Sequence, residues 1–579
     1  MLLGELDAKT LAGMDGARRG DRDGLLGVPI DRSPLPVRSA TELLLRRARE
    51  APERPYAVYH DEERRETWTH RSLADRALRI ASALRADLGL RPGDALAVAD
   101  RYNHPDTLAL YFAAWNEGIL VAPLNLREDE RRHRYILAHS GAKAIVARDR
   151  RDPGAADNYL DRMKALADGR PVAQLGGTET RSDLRLDATE RVPSAAGGHP
   201  VEQPSLLVYT SGTTGDPKGV VLSQRMLHDV RALQAHHRLG ADDVFQTAMP
   251  LFHVNAIVSS MLLALWTGGR LILLRRFDPA RYFAIAAAEG ATQASVVPAM
   301  LDALMRASGA AAPHSLRAIF CGAGQLYPEV ARAFHAAFPA LRIRHGWGMS
   351  ETTCWGCHLP PDLEDAEYRR LVLDAKFPSI GRPNPAIRMG IVDPESGAPH
   401  PPGGKGEIVC GGPGLMEGYF RNADANARAF RFGVLQTGDE GYYVDHRRAD
   451  GRIEPMFHIT GRLKEVIERG GEKYSTLEID SDLLKIPGVV RALAYGFRHL
   501  KFGQEVGAVL MLESGARVDE EAVWRHFHSL GYPWDKTPKV VRLVDEIPTT
   551  ATGKDQRLRF APLFEGLERE LFRRPDSFR

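Results

Sequence analysis

Leu206-Leu-Val-Tyr-Thr-Ser-Gly-Thr-Thr-Gly-Asp-Pro-Lys-Gly-Val220 sets an apolar strand in front of a run of hydroxyl and glycine residues and then supplies a lysine. A loop of this composition suits phosphate. Gly212, Gly215 and Gly219 let the backbone turn its N–H groups toward an anion, Thr210, Ser211, Thr213 and Thr214 offer hydroxyls, and Lys218 adds a positive charge. It does not follow the G-x-x-x-x-G-K-[ST] pattern of common nucleotide triphosphatases. Ser, Thr and Gly alone would read as a surface turn.

Outward from this loop, short apolar runs introduced by turn residues alternate with helical periodicity. Ala95 to Ala99 follows Pro92-Gly93-Asp94, and Ile119 to Pro123 and Ala144 to Ala147 come next. Helices are predicted over Ser39 to Ala51 and Ser72 to Leu88, where Leu73, Leu78, Ile80, Leu84 and Leu88 share one broad face. Beyond the loop, strands are predicted at Leu271 to Leu274, Ala294 to Val297 and Arg317 to Phe320. Helices are predicted at Pro298 to Met305 and Tyr327 to Phe338. This alternation predicts an α/β body of parallel sheets covered by helices. Residues 148–200 show no sustained period and are expected to form a surface excursion. Residues 1–37, rich in Gly, Asp and Arg, are expected to be a loose, flexible leader. After Gly461, 118 residues with their own strand and helix pattern predict a separate small domain.

A chain of 579 residues with 44% hydrophobic and 26% charged residues has the balance of a multi-domain globular protein. Its 77 basic and 75 acidic residues leave a formal charge of +2, too small a field to favour nucleic acid or an anionic membrane. The four cysteines, Cys321, Cys354, Cys357 and Cys410, are too few to staple such a chain and suit a reducing compartment. The start MLLGELDAKT carries Glu5 and Asp7 where a secretory signal needs a basic and then an apolar run. Val254 to Trp266 is interrupted by Asn255, Ser259 and Ser260 and falls short of a membrane span. A cytoplasmic protein without a membrane span is expected.

Four further constellations follow in order. His345-Gly-Trp-Gly-Met-Ser-Glu-Thr352 sets a flat aromatic face beside a hard carboxylate. Thr437-Gly-Asp-Glu-Gly-Tyr442 offers a carboxylate able to accept from two hydroxyls. Ile459-Thr-Gly-Arg-Leu-Lys-Glu-Val466 leads into Gly470-Gly-Glu-Lys-Tyr-Ser-Thr-Leu-Glu-Ile-Asp480, and Ile547-Pro-Thr-Thr-Ala-Thr-Gly-Lys-Asp-Gln-Arg557 places a lysine among small residues. Singly, each reads as a turn or a solvated charge. Together with the first loop they resemble the adenylate-forming superfamily of acyl-CoA synthetases, peptide-synthetase adenylation domains and beetle luciferases. The resemblance spans about residues 38–562 and departs mildly at Trp347, where tyrosine is usual, and at Ser350, where threonine is usual.

The resemblance implies a large N-terminal domain over 38–461 with parallel sheets and a β-barrel-like part, and a small mobile α+β domain over 462–579. It implies that Thr210 to Gly215 and Lys218 hold phosphates, that Trp347, Gly348, Met349 and Ser350 flank the nucleotide, and that Glu351 binds Mg²⁺. Gly322, Ala323 and Gly324 fall at the adenine edge, Asp439 at the ribose and Arg462 at the nucleotide. Lys464 falls at the hinge, Gly471 on the thiol approach, His253 in Met249-Pro-Leu-Phe-His-Val-Asn255 at an acyl gate, and Lys554 at the reacting carboxylate and α-phosphate. The implied activity is ATP-dependent conversion of a carboxylic acid to acyl-AMP, with pyrophosphate released, followed by transfer to coenzyme A. A carrier protein's phosphopantetheine arm is the alternative acceptor.

Cys354-Trp-Gly-Cys-His358 matches the C-x-x-C-H of haem attachment and the C-x-x-C of redox proteins. With no export signal and no second ligand pair, these residues read instead as packing beside the acyl site. Phe252, Val254 and Val297 point to a fatty, aryl or related apolar acid.

Overall fold

A computed structural model describes residues 6–148, 159–176, 199–210, 216–307, 312–549 and 555–575. Parallel strands dominate two large sheets. In the larger, Pro55–His60, Arg270–Leu274, Val244–Thr247, Gln293–Val296, Ala318–Cys321 and Arg342–Trp347 run side by side in that order, all parallel. The second centres on Val172–Gln174, Ala144–Ala147, Ala95–Ala99, Leu120–Pro123 and Pro204–Thr210, again parallel. Their strands are buried on both faces, as continuous apolar runs require.

Helix Pro105–Asn116 is buried along its whole length because it lies between the sheets. Trp115 Nε1 donates to Ser205 O on one side (2.8 Å) and Tyr111 Oη to Leu251 O on the other (2.7 Å). Ala40–Glu50 and His70–Ala86 pack beside it, each capped at its first turn by Ser39 or Thr69.

Past Arg342–Trp347 the larger sheet turns antiparallel through Cys357–His358 and Ser379–Pro383 into Ile453–Arg462, Leu435–Arg447, Gly406–Gly411 and Arg388–Val392. Among the described residues this arm continues the larger sheet. Strand Ile453–Arg462 ends where the small unit begins. That unit is a five-stranded sheet with Thr476–Leu483 and Glu520–Ser529, built on its own cores around Ile479, Val506 and Phe527 and around Leu493, Val509 and Phe564. The two units meet at Tyr327 Oη, which donates to Asp480 Oδ2 (3.3 Å), and at Glu478, whose carboxylate is shared by Lys376 of the large unit and Lys536 of the small one.

Two expectations change. The leader contains helix Ala8–Arg19, capped by Asp7, with Met14 and Ala17 buried, and Leu26 pairs with Met389 across a bridge. Residues 159–176, expected in a surface excursion, include helix Tyr159–Leu166 and strand Val172–Gln174, the edge of the second sheet.

Candidate active site

Strands Pro204–Thr210 and Lys218–Ser223 pair antiparallel, with Thr210 opposite Lys218. Ser211, Gly212, Thr213, Thr214 and Gly215 lie outside the described residues, as does Lys554. Strand Gly418–Tyr419 adds to the other edge of Lys218–Ser223 and brings the Tyr419 ring under Lys218, whose Nζ lies 4.6 Å from the ring centroid. The Tyr419 hydroxyl donates to Glu351 Oε1 (2.8 Å). Lysine, aromatic ring and carboxylate thus form a short chain of contacts. Burial lowers the Lys218 pKa from its ordinary value while Glu351 opposes the shift and Lys464 and Arg428 add to it. Lys464 therefore shares the electrostatic surroundings of Lys218.

Trp347 closes the other side. Its Nε1 donates to Asp439 Oδ2 (2.8 Å), and Arg462, paired with Asp439 across the antiparallel ladder, donates from Nε toward Oδ1 (3.1 Å). Asp439 in turn raises the pKa of Arg462, against the burial that lowers it. The turn that presents Asp439 is fixed from below: Glu407 accepts from Gly438 N (2.9 Å) and from Gln436 Nε2 (3.0 Å). Gly438 takes φ +75°, a left-handed position that favours glycine.

The backbone around Glu351 is also set by tertiary contacts. Met416 N donates to Glu351 O (2.8 Å), and Thr353, at φ +63°, donates from Oγ1 to Gly414 O (2.7 Å). A β-branched residue in that region costs of order 1–3 kcal/mol and persists only where its surroundings impose it. Ala323, between Gly322 and Gly324, takes the same left-handed φ of +63°.

Lys218, Glu351, Asp439, Arg462 and Trp347 come from chain segments far apart in sequence and converge at one mouth, with Lys464 beside them. Gly348, Met349 and Ser350 link Trp347 to Glu351 along the chain. His253 caps the helix that starts at Val254. Gly471 sits at the tip of the hairpin Val466–Arg469 and Glu472–Ser475, with open space around it, and is not brought to the mouth by any described contact.

The sequence profile of AMP-binding enzymes matches residues 44–420. The chain belongs to the AMP-binding enzyme family. It is 33% identical over 520 residues to the sulfoacetate–CoA ligase of Cupriavidus necator, covering 89% of this chain and 96% of that one. It is 32% identical over 504 residues to a feruloyl-CoA synthase of an Amycolatopsis species, covering 84% and 92%. Among solved structures it resembles ATP-bound MatB from Rhodopseudomonas palustris, with a TM-score of 0.78, 26% identity and coverage of 92% and 100%. As a family member it is an enzyme of the AMP-forming acid–thiol ligase type.

Some contributors to this cluster were not singled out by the sequence. Tyr419 joins Lys218 to Glu351. Arg557, the last residue of the segment that carries Lys554, donates to Asp480 (2.6 Å), which also accepts from Tyr327. The cysteines are all free and buried, and burial raises each thiol pKa.

Proposed function

We propose that this enzyme activates a carboxylic acid with ATP and transfers the acyl group to coenzyme A. The carboxylate attacks the α-phosphate, forming acyl-AMP and expelling pyrophosphate; the thiol then attacks the acyl carbon and AMP leaves. The observation that carries this is the convergence of Lys218, Tyr419–Glu351 and Trp347–Asp439–Arg462 on one mouth. A phosphoryl-transfer site needs fixed positive charge and a nucleotide clamp there rather than a general-base triad.

Asp439 offers two oxygens to vicinal ribose hydroxyls, and Trp347 offers a flat face to the base. Lys218 and the loop 210–215 take the phosphates. Lys554, in the small unit, neutralises charge between carboxylate and α-phosphate. Positioning of this kind contributes about 7 to 11 kcal/mol.

Glu351 is a buried hard-oxygen donor at the phosphate end, and among the described residues no group of three or more His, Cys, Asp or Glu could cage an ion. That fits Mg²⁺, which keeps water and phosphate oxygens and takes one or two protein carboxylates. When bound, it would neutralise phosphate charge as the bond to pyrophosphate breaks. The small unit turns about Lys464 between the two half-reactions, so that Lys554 withdraws and the thiol enters along Gly471.

The names of relatives range from sulfoacetate and oxalate to feruloyl and indoleacetate ligases, and so leave the acid open. Acid-dependent pyrophosphate release, followed by mass detection of acyl-CoA with free CoA or with a holo carrier protein supplied, tests the function. Acyl-CoA is expected; acyl carrier protein as the sole product would replace the acceptor, and no acid-dependent release would remove the proposal.

A further inference from the structure

The segment Gly412-Pro-Gly-Leu-Met-Glu-Gly-Tyr419 touches the charged cluster at three points. Gly414 O accepts from Thr353 Oγ1, Met416 N donates to Glu351 O, and the Tyr419 side chain meets both Glu351 and Lys218. The aim of lysine, ring and carboxylate therefore depends on where this segment is held.

Its other side is held by the N-terminal helix Ala8–Arg19, which precedes the residues 44–420 matched by the family profile. The last carbonyls of a helix lack partners within it. Ala17 O finds one in Gly412 N, at 2.7 Å. The helix ends on Gly20, at φ +64°, so close to the segment that a β-carbon there would lie 3.0 Å from the backbone of Gly411 and of Gly412. Arg18, in the last turn, reaches past this contact to the other end of the segment. Its Nη2 donates to Glu417 O (2.6 Å) and lies 3.3 Å from Glu417 Oε2.

Glu417 is a junction. Its N–H donates to Val221 O (2.8 Å) and its Oε1 accepts from Ser223 Oγ (2.6 Å), both on the strand that begins at Lys218. The Arg18 and Glu417 side chains are only 18% and 16% exposed, which sets this contact apart from the solvated pairs that hold nothing in place. Only Gly418 separates Glu417 from Tyr419, so a shift of the Glu417 carbonyl carries the ring with it.

We propose that Arg18 is a positioning residue for nucleotide binding: by fixing Glu417 it sets the Tyr419 ring and hydroxyl, which align Lys218 and Glu351 at the triphosphate. The proposal rests on the ligase function above and adds the N-terminal helix to the frame of the site. A second arginine of the same leader gives the control. Arg22 anchors that leader to Phe432 O and Gly397 O instead.

The test is titration calorimetry of ATP and of AMP, each with Mg²⁺, on the full chain as wild type, Arg18→Ala, Tyr419→Phe, the double variant and Arg22→Ala. Arg18→Ala should weaken ATP by about fivefold, the scale of one hydrogen bond. AMP should weaken far less, because it leaves the triphosphate end empty. The loss in the double variant should fall short of the product of the two single losses, since one residue acts through the other. Arg22→Ala should lower the melting temperature and keep the wild-type affinity for ATP. Arg18→Met keeps the apolar stem without the donor and serves if the alanine variant does not fold. An unchanged ATP affinity in a folded Arg18 variant would overturn the positioning role while leaving the ligase function standing. So would equal losses for ATP and AMP, an equal loss in Arg22→Ala, or losses that multiply in the double variant. A wild type that binds neither nucleotide would remove the ligase function and this role with it.

Discussion

The charged cluster around Lys218, Glu351 and Asp439 and the ring-filled core around Trp355 are built by opposite means. In the charged cluster Lys218, Glu351, Asp439 and Arg462 are in contact through Tyr419, Trp347 or one another. In the core around Trp355, the side chains of His358, His237, Ser259 and Cys354 are buried, and rings fill the space. Burial holds the His237 and His358 pKa values well below the ordinary range, so neither ring brings a charge into that core. Charge is concentrated in one cluster of contacts, and bulk in the adjoining core.

The largest effect that would separate the two regions is loss of the carboxylate in the first. Glu351→Gln keeps an acceptor for the Tyr419 hydroxyl but removes the charge. Adenylate formation should fall by about 10²–10³-fold, as when one preorganised charge-stabilising group is lost, while the ratio of rates between acids stays fixed. Pyrophosphate release under saturating ATP measures it, and a change in acid preference would show that Glu351 also meets the acid.

A smaller effect belongs to the ring-filled core alone. Asp229, behind Trp355, is pushed up to about 8 by burial, against hydrogen bonds from Asn384 and from the Trp355 backbone. Unfolded, its carboxyl titrates near 4. The folded chain keeps a proton that the unfolded chain has released, so this group's contribution is complete below about pH 4 and is lost as pH rises toward about 8. Asp229→Asn mimics the neutral acid. The variant should gain on wild type by about 1–3 kcal/mol between pH 5 and pH 8, against a ceiling of about 1.4 kcal/mol per pH unit. Thermal unfolding at the two pH values checks the sign; a constant difference would show that Asp229 is ionised throughout.

The finest probe is Trp347→Phe, which keeps a ring and removes the hydrogen bond to Asp439. Weaker orientation of the ribose clamp should raise the KM for ATP several-fold, within the roughly 1.5–3 kcal/mol of a charged hydrogen bond, and leave kcat and the acid profile alone. An altered acid profile would show that Trp347 also meets the acid.

The charged cluster was legible in the sequence because each of its groups sits in a local word with its own turn: Thr-Gly-Asp around Asp439, Gly-Arg-x-Lys around Arg462, the glycine-flanked lysine at 218. The α/β body was legible for a similar reason, since strands such as Ala95–Ala99 are apolar runs opened by Pro, Gly and Asp. The ring-filled core was not. Trp355 takes its place from Gly322 and Ser259, which are distant in sequence, and no local pattern announces that a glycine has been covered from elsewhere. The N-terminal helix was hidden by its glycines, which suggested looseness. Gly13 in fact lies so close to the Phe430 carbonyl that a β-carbon there would come within 2.6 Å of its oxygen. Glycine marked close packing, and without the partner segment in view the two meanings cannot be told apart.

Glu478 serves two masters. Burial would raise its pKa, but Lys376 from one lobe and Lys536 from its own hold it down at about 2. If the small lobe swings away, the carboxylate leaves with Lys536 still attached, and Lys376, already about half exposed at 48%, simply finishes entering water. An ion pair with one partner half in water is worth only about 1 kcal/mol. The lobes are therefore joined by a press-stud rather than a bolt, one that thermal motion can open and rising ionic strength can loosen.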